Sequence, residues 1–218
     1  MKLNKERSKV PSPRKADPRF MTPGHFPDNA RSTTDGGVAL PPGNSERIRA
    51  KFGSYGIEVL ENSPKLRVSC LYSTHDGVNI NRTFAVVAYP AVIDPAFNKE
   101  HEAIIKGESI GIVFKQNGWL IRKDHQYFGE IEAPSSHFGL ADPSESSLIR
   151  AAIHVYALSV KKGNAEFRYA TIAEIHHPNY LRTEDLAWIY DEEYEAHLDK
   201  RERIADFLAV IESRILAL

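Results

Sequence analysis

The sequence predicts an α+β domain, a single antiparallel β-sheet with helices packed on it. Three observations carry that reading. Two hairpin signals punctuate the chain, one at Asp76-Gly77 and one at Gly163-Asn164. Helical segments gather between the hairpins instead of alternating strand by strand, which argues against a parallel sheet. The C-terminal stretch carries Ile204, Phe207, Leu208, Ile211 and Ile215 at helical spacing, with charge on its other face.

Residues 1–43 hold seven of the 13 prolines, few large aliphatics, and eight basic against four acidic residues. Such a segment buries too little apolar surface to offset its ordering entropy, so a disordered tail is expected there. Residues 44–218 form the expected single ligand-binding or catalytic domain. Ser45 is placed to cap a helix, ERIRAKF, that stops at Gly53. KLRVSCLYS (65–73) and NINRTFAVVAYP (79–90) read as the first hairpin. AFNKEHEAIIKG (96–107) and ESIGIVFKQNG (108–118) read as helices ended by Gly107 and Asn117-Gly118. WLIRKDHQYFGEIEA (119–133) is extended, and PSSHFGLADPSESS is a loop with a helix start near its end. LIRAAIHVYALSVKK (148–162) contains a strand, and AEFRYATIAEI (165–175) returns beside it. LRTEDL reads as loop, followed by a C-terminal helix over about 190–217. The helices are expected to cover one face of the sheet or its edges.

Composition narrows the function classes. At 218 residues and a net charge of −1, nothing draws the chain to nucleic acid by long-range attraction. The longest apolar runs are too short for a membrane span. The N-terminus lacks the apolar core of a secretory signal. Cys70 is alone, which excludes an internal disulfide and fits a cytoplasmic location. No G-x-S-x-G, phosphate-loop or dinucleotide pattern occurs, and no metal or organic cofactor is expected.

Charges on the strands are the candidate site. Strand alternation puts Ile80, Arg82, Phe84, Val86 and Ala88 on one face, and Arg168, Ala170, Ile172 and Glu174 on one face of the late strand. Facing one interior, Arg82 and Glu174 would form a pocket for a small anion, with arginine taking a carboxylate and the acid handling a proton. The alternative is ordinary: Arg82 lies at a strand end with its head in water, and Glu174 is a rim carboxylate. Ser109, Ile110 and Gly111 open a helix whose first N–H groups could contact an anion. His176 and His177 are adjacent, so a strand points them to opposite faces, and Glu-x-His-His lacks the helical spacing of a zinc motif.

Several segments together resemble a known family. They are the D-G turn with N-R-T-F-A-V-V-A-Y-P, the helix opening S-I-G-I-V-F, and the late strand T-I-A-E-I-H-H-P-N-Y. Their order and spacing over roughly residues 55–182 resemble chorismate lyase (chorismate–pyruvate lyase) and its fold relatives, the UTRA-type ligand-sensing domains. Those lyases carry D-G-x(n)-R-T-V-V-P, P-L-G-R-Y-L-F and T-E-x-F-L-P. The resemblance implies that Arg82 holds a ligand carboxylate and Glu174 lies beside the ring hydroxyl. It also implies that Ser109, Ile110 and Gly111 contact the ligand through backbone N–H groups. The implied reaction eliminates pyruvate from chorismate to give a hydroxybenzoate, with Glu174 raised in pKa by burial. The chain departs from the pattern at Ala173, where the family has threonine, and at His176-His177, where it has phenylalanine-leucine. Another small acid as ligand therefore stays open. So does a UTRA-like sensor, although the proline-rich upstream segment cannot form the DNA-binding domain that usually precedes one.

Overall fold

A computed structural model describes residues 42–140, 147–190 and 198–217. The expected tail lies outside the described residues up to position 41, as do 141–146 of the expected loop and 191–197 of the expected C-terminal helix.

The chain begins with α1 (Asn44–Phe52) and then runs through β1 (Gly56–Asn62), β2 (Leu66–His75) and β3 (Val78–Ala88). After a 3-10 turn over Pro95–Phe97 come α2 (Asn98–Ile105) and α3 (Ile110–Gln116). β4 (Leu120–Pro134), β5 (Leu148–Lys162) and β6 (Ala165–His176) follow, then α4 (Thr183–Tyr190), α5 (Leu198–Arg203) and α6 (Ala205–Leu216). The six strands form one sheet in the order β1-β2-β3-β6-β5-β4, every neighbour antiparallel. Two meanders, β1-β2-β3 and β4-β5-β6, thus meet along a seam where β3 pairs β6 from Thr83↔His176 to Ala88↔Thr171.

Local chemistry explains the punctuation. Asp76 and Gly77 have φ of 49° and 77°, the left-handed pair a two-residue hairpin requires. α1 ends where Gly53 turns to φ 77° and returns its N–H to the Arg49 carbonyl. Its start differs from expectation. Gly43, not Ser45, is the N-cap, and the Glu46 carboxylate accepts from the Gly43 N–H at 2.6 Å.

Four further differences have physical reasons. GIEVLEN forms β1, a half-buried edge strand in which Ile57 and Val59 alternate with exposed Glu58 and Leu60. LRTEDL opens α4 rather than a loop, because the Asp185 carboxylate accepts from the Arg182 N–H at 2.8 Å. The helix start expected near the end of PSSHFGLADPSESS falls on residues 141–146, outside those described, while the strand after it is longer than expected. Leu148 pairs with Pro134 as the whole of 148–162 joins the sheet. The expected single C-terminal helix is broken into α5 and α6 at Ile204.

Helices cover both faces of the sheet, not one. On one face α6 buries Leu208, Ile211 and Ile215 against Phe84, Val86, Ala173 and Ile175. On the other, α1–α4 pack over Leu71, Ala85, Phe128, Tyr156 and Ile172. The parity of β3 and β6 sorts the two cores. Val86 and Ala173 pair on the α6 face, while Ala85 and Glu174 pair on the other. Among the described residues, no helix is long and apolar enough to cross a membrane.

Candidate functional site

A cavity of about 400 Å³ lies between the sheet and the starts of α1 and α3. Small residues on the central strands create it. Ser69 and Ala85 are direct neighbours across β2 and β3, and Ala85 pairs in turn with Glu174. Among the described residues no bulky side chain fills the space above them, which leaves it open beneath the helices. Leu71, Val87, Leu158 and Ile172 make the walls apolar, while exposed Glu46, Arg49, Lys115 and Leu120 mark the mouth. Glu46 and Lys115 pair across that mouth at 2.5 Å, tying α1 to α3.

Glu174 is the carboxylate at the floor. It is buried, flanked in register by Ala85 on β3 and His154 on β5. Its Oε2 accepts no hydrogen bond among the described residues. Lys123 Nζ, from β4, stands 3.9 Å from that oxygen and 4.2 Å above the Tyr156 ring. Burial alone would raise the Glu174 pKa. The Lys123 ammonium, His176, Arg47 and the Tyr156 hydroxyl more than offset it, and the carboxyl sits below its ordinary value. The expected upward shift is therefore corrected: cations converge on this carboxylate from β4 and α1, which a single strand could not reveal. Beside it, the Tyr156 phenol is held well above its usual range by burial and by the Glu174 charge.

Ser109, Ile110 and Gly111 line the cavity, as does Glu174. Arg67 props up their segment. Its guanidinium donates to the carbonyls of Ile104 (2.9 Å), Glu108 (2.8 Å) and Gly107 (3.2 Å), which fixes the turn between α2 and α3.

Arg82 is not among the residues lining the cavity, so the structure does not bring it together with Glu174 there. Strand parity already separates them, because Glu174 pairs with Ala85 on the face opposite Phe84 and Val86, with which period-two counting groups Arg82; a β-bulge then turns Arg82 toward the end of α1 instead of toward α6. Leu71 pairs with Thr83 and Tyr72 with Asn81, which leaves Arg82 as the extra residue between them. Its Nε donates to Ser73 Oγ at 2.9 Å, and its guanidinium carbon lies 3.8 Å over the Phe52 ring at the far end of α1. Burial pushes its pKa down to about 10.

The histidines divide as strand parity requires. His176 closes a chain on the cavity side of the sheet. The Tyr180 hydroxyl donates to Asn44 Oδ1 (2.7 Å), Asn44 Nδ2 donates to Thr83 Oγ1 (3.0 Å), and that hydroxyl meets His176 Nδ1 at 3.1 Å. Burial pushes His176 down to about 3. His177 instead accepts the Asn179 N–H at 2.9 Å and lies edge-on to Phe138. It is pushed down to about 4, first by burial and then by Arg82. A second histidine pair was not anticipated: His125, at the cavity, meets buried His154 at 2.7 Å.

Sequence reading also missed Lys123 and Tyr156. Lys123 had a usable signal, since it alternates in phase with Ile121 and His125, which also line the cavity. Tyr156 had none, because β5 is buried on both faces and carries no period-two contrast.

The arrangement can hold a flat, small ring between apolar walls, present an ionised carboxylate to it, and meet an anion with Lys123. No family model matches the chain, and no curated protein matches it significantly.

Proposed function

We propose that the protein is a chorismate lyase-like enzyme that eliminates pyruvate from chorismate to leave a hydroxybenzoate. The observation that carries this reading is the buried, ionised Glu174 at the floor of an apolar cavity, beneath Lys123 and Tyr156. The similarity of the late strand and of the D-G hairpin to the lyases supports it as well.

The chemistry asks little of a protein beyond orientation and one proton. With the ring between Val87, Leu158 and Ile172, Glu174 accepts from the C4 hydroxyl and takes the C4 proton. The electron pair of that C–H bond closes the C3–C4 double bond. The C3–O bond breaks with its own pair onto oxygen, and the enolate of pyruvate departs. That enolate collects the proton at its methylene carbon, and aromatisation makes the sequence downhill. A lowered Glu174 pKa keeps the base ionised at neutral pH.

The test is to mix the protein with chorismate and follow pyruvate and 4-hydroxybenzoate together. Turnover is expected, and Glu174→Gln should slow it by about 10²–10⁴-fold with little change in KM. Absence of both products sinks the reading. The position of Arg82 off the cavity favours a second reading, a binding protein for another small carboxylate. Tight hydroxybenzoate binding without turnover would select it.

A further inference from the structure

We propose that Lys123 anchors a second carboxylate, carried on a side arm of the ring ligand, and that on the elimination reading this arm is the departing enolpyruvyl group. Among the described residues, four cationic side chains line the cavity: Arg49, Arg67, Lys115 and Lys123. Two are otherwise engaged, and the third lies at the exposed mouth. Arg67 is spent on three main-chain carbonyls. Lys115 is bound to Glu46 at the mouth. Arg49 is exposed and lies beside the Tyr55 ring, 5.8 Å from its centroid.

Lys123 differs from all of them. Its side chain is only 19% exposed, yet among the described residues its ammonium donates no hydrogen bond. The contact to Glu174, at 3.9 Å, is too long for one. Its three N–H donors are thus held over an aromatic face at the cavity wall with no protein acceptor among the described residues, so an oxygen entering the cavity is the partner they lack. An incoming carboxylate meets that need, and the low local dielectric makes the interaction strong.

Position fixes which part of the ligand this is. Lys123 stands beside Glu174, the group assigned to C4, so the anion it holds is carried by a neighbouring ring atom. In chorismate the enolpyruvyl ether is on C3, next to C4. As the C3–O bond breaks with its electron pair onto oxygen, charge grows on that arm, and a preplaced ammonium stabilises it. Lys123 then serves binding and departure alike.

Two stable probes isolate the second carboxylate: 3-(carboxymethoxy)benzoate and 3-methoxybenzoate, titrated calorimetrically into wild type, Lys123→Met and Lys123→Arg. Wild type should bind the dicarboxylate about tenfold more tightly. Lys123→Met should bring the ratio to about one while holding 3-methoxybenzoate within about threefold, and Lys123→Arg should restore most of the preference. A tenfold ratio that survives in Lys123→Met overturns the proposal. Equal loss of both ligands overturns it too, because Lys123 would then be only the counter-ion of Glu174. Failure of wild type to bind either probe has the same force. Should Lys123→Met misfold around an uncompensated carboxylate, Glu174→Gln/Lys123→Met removes both charges, and the ratio is read against Glu174→Gln alone. Chorismate turnover is scored separately. No turnover with the ratio intact overturns the elimination and keeps the anchor, whereas turnover with a wild-type ratio near one does the reverse.

Discussion

Arg82 shows how one inserted residue redirects a side chain. Period-two counting groups it with Phe84 and Val86, and both of those do face α6. The bulge opposite Leu71 and Tyr72 breaks the count, and the guanidinium ends against Phe52 and Ser73. Arg82→Ala removes a desolvated cation–aromatic contact and a buried hydrogen bond. It should cost about 2–4 kcal/mol in urea unfolding while leaving hydroxybenzoate affinity within about threefold. A large affinity loss with stability unchanged would return Arg82 to the ligand. Glu174 was legible for the opposite reason. β6 is regular between Thr171 and His176, so alternation with Ile172 assigns its face correctly. The sign of its pKa shift was not legible, since the cations responsible come from β4 and α1.

Among the elements, the hairpins and amphipathic α6 were readable because each carries its own local signal: a turn with a left-handed glycine or an apolar stripe. β1 was not read as a strand, being short, half-exposed and interrupted by a bulge between Val59 and Glu61. α4 was hidden because its first turn, Thr183-Glu184-Asp185, has the composition of a loop. The α2–α3 connection depends on a residue far away in sequence, so no local window could foresee it. Arg67→Leu strands three carbonyls that the guanidinium now satisfies, and a loss of about 3 kcal/mol or more is expected. Hydrogen exchange should then accelerate selectively over residues 104–111. Uniform acceleration across the sheet would contradict the role of Arg67 as a local prop.

At the scale of the whole molecule, the α+β class with one antiparallel sheet was legible from hairpins and helix placement. The strand order and the covering of both faces were not, because they depend on which strands meet at the seam. Close to that seam lie three buried histidines, His154, His176 and His177, all held below their usual pKa first by burial. The unfolded chain takes up protons at these positions near pH 6.5 while the native state resists them. Their contribution is therefore complete above pH 6.5 and is lost as pH falls from there toward the folded values of about 3 for His176 and 4 for His177. At pH 5.5 each histidine should cost on the order of 1 kcal/mol relative to neutral pH, and the three together a few kcal/mol. Urea midpoints at pH 7.5 and 5.5 measure this, and a flat profile would mean that the histidines protonate in place.

The seam has one more consequence. Lys123, Tyr156 and Glu174 come from the β4-β5-β6 meander, whereas Ser69, Ala85 and the α1 wall come from the first half of the chain. Neither half encloses the cavity by itself. A ligand seated between them works like a keystone in an arch, and occupancy and docking of the halves become one equilibrium. Each decade of ligand concentration above Kd would then raise the resistance of the joined molecule to separation, so a binder found by thermal-shift screening reports on the integrity of the joint as much as on affinity.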